Sequence, residues 1–400
     1  MIALISVVGV CLPPPRLRAG HWIGLSFLAW CLLSFAWTYG PYEGVDRMAK
    51  FGFMAGMFMI GGRLADTRSV YVGAAFGFAV NSAIVIAQWF GWDGITQGYA
   101  PSGLFMNKNF LAEAASLVLI AIVAADIARN KKMILIAAML PCIVVPMIPL
   151  GGEGGTFGGF NALAGIGAAV VVWLWTKSRG MAAMLTLVGI ATAALLIWQG
   201  YNGAAMSERF QIWQYTINGM TWRGNGIGSF FTTFPAHAPA YDLMHWRPMH
   251  THNDYLELIY ELGPGAFLYL AIMALAMCGP AGPEKFVLAA FLAEGVFDFP
   301  LAYPVPAALA ALAAGRLCDS RVRLRVGAWL GRANARYGFL FSRSTAGGVA
   351  LPASVQTGIS VRSQVSGWTG RILRALPLEG FTPRRHCRNS ARFDDRSIGF

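Results

Sequence analysis

Long apolar runs separated by short polar breaks dominate this chain up to about residue 315, and their spacing predicts helices. The runs cover roughly 2–12, 21–39, 49–62, 70–92, 110–128, 133–150, 161–176, 181–199, 254–278, 286–299 and 301–315, about eleven helices in all. A helix needs about 20 apolar residues to cross the hydrocarbon core of a bilayer. The third and tenth runs are short by that measure and are expected to tilt, re-enter or extend into their neighbours. A transmembrane barrel would instead show segments of about ten residues alternating apolar and polar positions. One polar stretch, residues 200–253, is too long to be a simple connection, and long loops of this kind are usually functional.

Composition agrees with the pattern. Hydrophobic residues make up 56% of the chain and charged residues 12%, against a usual charged share of about 25%. Mean hydropathy is +0.53. The expected fold is therefore all-α: a polytopic transmembrane helical protein over 1–318, with one long external loop at 200–253. Disordered, disulfide-stapled and barrel classes are excluded. The six cysteines form no CxxC pair, so neither a disulfide framework nor a cysteine metal site is expected. Met1 to Leu12 is apolar but lacks a basic leader and ends in Pro13-Pro14-Pro15, so it reads as a short first helix instead of a signal peptide.

Charge changes the picture in two ways. The net charge of +12 is concentrated in the tail: from Arg316 onward there are 15 Arg, no Lys and 4 acids. Residues 319–400 are read as a basic, largely disordered cytoplasmic tail near anionic lipid, with an amphipathic stretch at 321–341. A nucleic-acid partner is not expected. Lys and Arg in the connections also sort by side. Arg16, Arg18, Arg63, Arg68, Arg129, Lys131, Lys132, Lys177, Arg179 and Lys285 fall on one side; Arg47, Lys50, Lys108, Arg209, Arg223 and Arg247 fall on the other, over longer loops. The positive-inside rule makes the first side cytoplasmic and places 200–253 outside.

Candidate chemistry gathers around that loop. Four of the six histidines, His237, His245, His250 and His252, lie close together near its end. The segment His250-Thr251-His252-Asn253-Asp254-Tyr255-Leu256-Glu257 runs into an apolar helix that Asn253 is suited to cap. A histidine at the positive end of a helix dipole tends to stay neutral, which suits it to accept a proton. A metal site using His250, His252 and His245 or Asp242 lacks an HExxH or cysteine pair to support it, and no metal or cofactor is expected. Arg209, in Arg209-Phe210-Gln211-Ile212-Trp213, follows a membrane helix and could bind a diphosphate bidentately. Arg223 precedes Gly224-Asn225-Gly226-Ile227-Gly228, which reads as a turn that folds the loop back over the membrane. Asn107, Lys108 and Asn109 precede another apolar helix and either cap it or bind sugar hydroxyls or lipid phosphate. Glu113, Glu257, Glu261, Glu294 and Asp298 are acids at helix depth. Such acids are costly in a bilayer and usually face a polar cavity. Glu257 and Glu261 share one helix face.

These segments, in this order over about 100–305, resemble the O-antigen ligase and polymerase family of bacterial membrane glycan transferases. The features are Phe105–Phe110 with Asn107 and Asn109, Arg209–Trp213 with the glycine run, His250 to Glu261-Leu262-Gly263, and Phe297-Asp298-Phe299-Pro300-Leu301. The resemblance implies a C-type glycosyltransferase-like helical fold in the inner membrane, with its active site facing the periplasm. It also implies an undecaprenyl-diphosphate-linked glycan donor, a glycan or lipid A core acceptor, contact with membrane lipids, and no metal. In that picture His252 or His250 is the general base and Arg209 holds the diphosphate. Substrate contacts are expected from Asn107, Lys108, Asn109, Arg223, Arg247, Asn253 and Glu257. One departure is visible. The family commonly carries Ser-Arg-Gly before the helix that starts near Asn161, where this chain has Gly151-Gly152-Glu153-Gly154-Gly155. The usual second diphosphate-binding arginine is missing there, and Lys108, Arg223 or Arg247 are the candidate substitutes. A ligase acting on lipid A core or a protein hydroxyl is the alternative within the family. A transporter without chemistry is the alternative outside it, and it would concentrate polar residues at the bilayer midplane.

Overall fold

The computed structural model describes residues 19–92, 94, 101–105, 107–148, 160–198, 203–239 and 248–319. The chain divides into units Met1–Ala335 and Arg336–Phe400, and every described residue lies in the first. The expected helix at 2–12, the glycine run at 151–159, Asp242, His245, Arg247 and the tail beyond 319 lie outside the described residues.

Among the described residues there are helices and no strand. The longer helices are α1 (Ala19–Ser34), α2 (Pro41–Arg63), α3 (Arg68–Trp89), α4 (Lys108–Ala124), α5 (Arg129–Met139), α6 (Pro141–Met147), α7 (Phe160–Lys177), α8 (Arg179–Trp198), α9 (Gly203–Asn218), α10 (Asp254–Leu262), α11 (Ala266–Met277) and α12 (Pro283–Phe297). A last helix, α13, covers 304–319. Among the described residues four stretches are long and apolar enough to cross a membrane: Ala19–Trp37, Arg68–Trp89, Arg129–Met147 and Asp254–Met277. Their outer faces expose large apolar side chains, such as Leu32, Leu33, Phe76, Val80, Ile134 and Phe267. Such a surface suits lipid and not water.

α4 is the central helix. Almost every residue from Phe110 to Ile122 is buried, and α7 and α12 pack against it and each other. The small residues Ala112, Ala114, Ala115, Ser116 and Ala121 let those neighbours approach closely.

Several expected boundaries differ from the structure. The run 49–62 belongs to a helix that starts at Pro41, with proline in the first turn, where its missing N–H costs nothing. The polar turn 42–50 hides that start, because Asp46 and Lys50 pair outward at 2.6 Å while Arg47 turns inward and is buried. The run 133–150 is two helices meeting at Leu140, where Pro141 lacks a donor to continue the ladder. The run 254–278 is interrupted by a 3₁₀ turn over Gly263–Gly265. Gly263 adopts φ +52°, and a Cβ there would sit 2.5 Å from the Arg223 carbonyl carbon. Part of the expected loop 200–253 is the helix α9.

The glycine segment 224–228 packs back against α10. Asn225 and Gly226 donate their N–H groups to the carbonyls of Tyr260 and Glu261, each at 2.9 Å. Gly226 has φ +94°, and a Cβ on it would overlap the backbone of Thr38. Ile212, Phe230, Phe234 and Tyr260 bury a small second core that fastens this segment and α9 onto α10.

Candidate functional site

The histidine segment is held from both sides. Asn253 caps α10, its side chain accepting the Tyr255 and Leu256 N–H groups at 3.0 and 2.9 Å. Its amide donates to the Val296 carbonyl at 2.9 Å, tying the start of α10 to the end of α12. Asp254 accepts the Leu301 N–H at 3.0 Å and ties the same start to the segment after α12. Upstream, the Thr251 N–H donates to Glu257 at 2.9 Å, and the Thr251 carbonyl accepts the Trp213 indole N–H at 2.8 Å. Between these anchors His252 takes φ +53°, a left-handed conformation uncommon for any residue with a side chain. Such conformations persist when the surroundings over-determine them.

That backbone brings the His252 ring to Asp298, with Nδ1 3.2 Å from Oδ1. A carboxylate accepts, so Nδ1 carries the hydrogen and Nε2 is the basic nitrogen. The His252 side chain is 33% exposed and the Asp298 side chain 1%. Behind Asp298 lies a chain of polar groups at the ends of three helices. Asn161 of α7 donates to Asp298 at 2.7 Å and to Glu113 of α4 at 3.1 Å. Ser116 of α4 donates to Glu294 of α12 at 2.6 Å.

His250 makes a parallel arrangement. Its Nδ1 lies 2.8 Å from Glu257, and its ring stacks on Phe299 at 4.4 Å. His252 meets the same Phe299 edge-on at 4.9 Å. Glu257 also pairs with Arg47 of α2, whose Nε lies 3.5 Å from Glu261. Burial first, then Arg47, Lys50 and His252, hold the His250 imidazole well below its ordinary pKa, so it is neutral at neutral pH.

Arg209 and Trp213 stand one turn apart on α9. Trp213 holds the histidine loop, while Arg209 donates from Nη1 to the Phe297 carbonyl at 2.6 Å, next to Asp298. The two residues of the Arg-x-x-x-Trp segment therefore meet the two sides of one site.

The other sequence candidates spread further. Asn107 caps α4 by accepting the Asn109 N–H at 2.8 Å, and Lys108 begins that helix. Arg223 is exposed and stacks over Trp37 at 5.7 Å, on the side of α1 and α2. Asn253 and Glu257 are buried, and their polar groups are engaged within the protein as described. His237 is exposed and lies beside Tyr260. Among the described residues no group of three His, Cys, Asp or Glu side chains is placed to hold a metal ion.

Sequence reasoning did not place Arg47 or Asn161 at the site; it noted Asp298 as an acid at depth and, with Phe299, as part of the closing motif at 297–301, without assigning either a role. Arg47 carried one available signal: an arginine with apolar residues at i+4 and i+7, Phe51 and Met54, shares a helix face with them. No protein-family model and no curated protein matches the chain.

Proposed function

We propose that this chain is a membrane glycan transferase of the O-antigen ligase and polymerase type. It transfers or polymerises oligosaccharide from undecaprenyl diphosphate at the periplasmic face of a bacterial inner membrane. The observation that carries the reading is the His252–Asp298 pair with Arg209 beside it, at one end of an apolar helical bundle. By the positive-inside rule the loop bases Arg63, Arg68, Arg129, Lys131, Lys132, Lys177, Arg179 and Lys285 belong to the cytoplasmic side, away from this pair. A polar cluster at the bundle's end, not at its middle, favours an enzyme over a transporter.

The chemistry follows from the geometry. An acceptor hydroxyl gives its proton to His252 Nε2 as its oxygen attacks the anomeric carbon of the donor sugar. The bond from that carbon to the diphosphate oxygen breaks, and undecaprenyl diphosphate leaves. Asp298 keeps the ring in the Nδ1–H tautomer and stabilises the imidazolium. Arg209, anchored by one nitrogen on the Phe297 carbonyl, presents its remaining donors to the departing diphosphate. No nucleotide, metal or other cofactor enters these steps.

The test is incubation of the purified full-length protein in lipid nanodiscs with lipid-linked oligosaccharide, with and without lipid A core. Longer glycan on the prenyl carrier identifies a polymerase, and transfer to core a ligase. No transfer to glycan, core or protein hydroxyl rejects the reading. Orientation is tested at Trp222, which is 85% exposed. Trp222→Cys should react with an impermeant thiol reagent without permeabilising the inner membrane.

A further inference from the structure

Glu257 is asked to do three things at once: it meets the His250 ring, accepts the Thr251 N–H and pairs with Arg47. Arg47 is 6% exposed and Glu257 1%, so this pair is shielded from water. A buried carboxylate with only a histidine for a partner draws a proton onto that histidine. Here Glu257 also faces a guanidinium that cannot lose its proton and that it shares with Glu261. The Glu261 carboxylate, 3.5 Å from Arg47 Nε, also accepts the Phe230 N–H at 3.3 Å, so the same cation ties the glycine-run segment to α10.

We propose that Arg47 is a positioning residue: as the buried counter-cation of Glu257 it keeps His250 a neutral imidazole with Nδ1–H fixed on the carboxylate. His250 Nε2 is then a hydrogen-bond acceptor for a sugar hydroxyl and not a cationic partner for phosphate. That assignment of a ligand class rests on the transferase reading. The protonation device itself rests on the geometry alone.

Among the described residues the groups facing His250 are few. Arg47 and Lys50 approach from α2, with Lys50 held by Asp46 at 2.6 Å. Glu257 approaches from α10, and His252 from the same loop. The segment after α12 offers the Phe299 ring, with Asp298 engaged by His252. Among the described residues Nε2 has no partner. It shares the Phe299 platform with the His252 ring, which places it within the same site. The division of labour is chemical. A sugar ring offers hydroxyl hydrogens and needs acceptors, whereas a diphosphate offers only acceptors and needs donors such as Arg209.

The experiment is ¹⁵N NMR of histidine-labelled full-length protein in nanodiscs without substrate, from about pH 5.5 to about pH 8. The His250 resonances are assigned by their loss in His250→Gln. The wild type should show a neutral Nδ1–H ring at neutral pH, titrating well below the midpoint of about 6.5 usual for histidine. Arg47→Lys should keep that behaviour. Arg47→Met should raise the midpoint by about 1–3 pH units. A wild-type ring that titrates normally or shows mixed tautomers overturns the proposal, and so does an Arg47→Met midpoint equal to the wild type's. Should Arg47→Met not accumulate, the doubly apolar Arg47→Met/Glu257→Leu variant decides. Its ring should lose the fixed tautomer, and a pure Nδ1–H ring there overturns the role of the pair. Inorganic phosphate should leave wild-type Nε2 unshifted, and a shift towards imidazolium overturns the acceptor assignment. Since none of these readouts needs turnover, the expected NMR result with no glycan transfer would reject the enzyme and leave the Arg47 device standing.

Discussion

Two histidines two positions apart each rest on a buried carboxylate, and what stands behind the carboxylates differs. Behind Glu257 is Arg47, in direct contact. Behind Asp298 are the Asn161 amide and then Glu113, with Glu294 and Ser116 close by. The only permanent cation beside Asp298 among the described residues is Arg209, which donates to the Phe297 carbonyl. In the first arrangement the carboxylate already has a permanent cation, shared with Glu261, before any substrate arrives. The second is completed only when His252 takes up a proton. A general base needs the second kind of surroundings, because the developing imidazolium must be worth more in the transition state than the neutral ring. This contrast favours His252 over His250 as the base, a choice the sequence left open.

The largest effect should come from exchanging the roles. His252→Ala should lower glycan transfer by about 10²–10⁴-fold, while His250→Ala acts mainly on KM for the acceptor. Steady-state rates of both variants decide it, and the reverse order would dissolve the contrast. Next is the cost of opening the closed arrangement. Arg47→Met leaves Glu257 buried without its guanidinium and should destabilise the fold by about 3–5 kcal/mol, whereas Arg47→Met/Glu257→Leu should recover most of that. Denaturant or thermal unfolding in detergent reads both. Arg209→Lys keeps charge but loses the fork, so transfer should fall about 10–100-fold, the worth of a charge-assisted hydrogen bond or two. Normal turnover at normal protein level would remove Arg209 from the site.

A smaller effect is expected where the two arrangements share a support. Asn253→Ala removes the cap of α10 and the bond to Val296, and should cost about 1–2 kcal/mol by the same unfolding measurement. Smallest is a pH effect. The folded-state pKa of His250 is depressed, so below about 6.5 the unfolded chain binds a proton that the folded chain does not. Its contribution to stability is therefore complete above that pH and declines as pH falls towards the folded midpoint, by at most about 1.4 kcal/mol per unit. Arg47→Met should flatten this dependence.

The fold class was legible because lipid demands continuous apolar runs, and these stand plainly in the sequence. The cap at Asn253 and the common face of Glu257 and Glu261 were legible too, since both depend on spacing within one helix. What spacing could not show was contact across the bundle. Asp298 reaches His252 from a different helix, and Asn161 joins Glu113 and Asp298 only because three helix ends converge. Arg47 was counted with the loop charges because the polar turn around it masks the helix that starts at Pro41. The breaks at Leu140 and Gly263 were missed because apolar residues continue on both sides of them.

The Arg47–Glu257 pair also constrains the order in which the molecule is built. α2 leaves the ribosome first, and its partner carboxylate follows roughly two hundred residues later, a long wait at the usual rate of synthesis. Through that interval the arginine lacks Glu257 and Glu261, and its nearness to the start of α2 lets it remain in the interfacial water. The three acids of Asp254–Met277 gather in its first turns, before an uninterrupted apolar stretch from Ala266 to Met277. The late helix can therefore lodge its apolar half in the bilayer while its charged half stays at the surface, and the two charges meet only when both helices draw inward together. Assembly of the site is then a closing step of biogenesis, and an arrested chain ending before Glu257 should be the form most exposed to quality-control proteolysis.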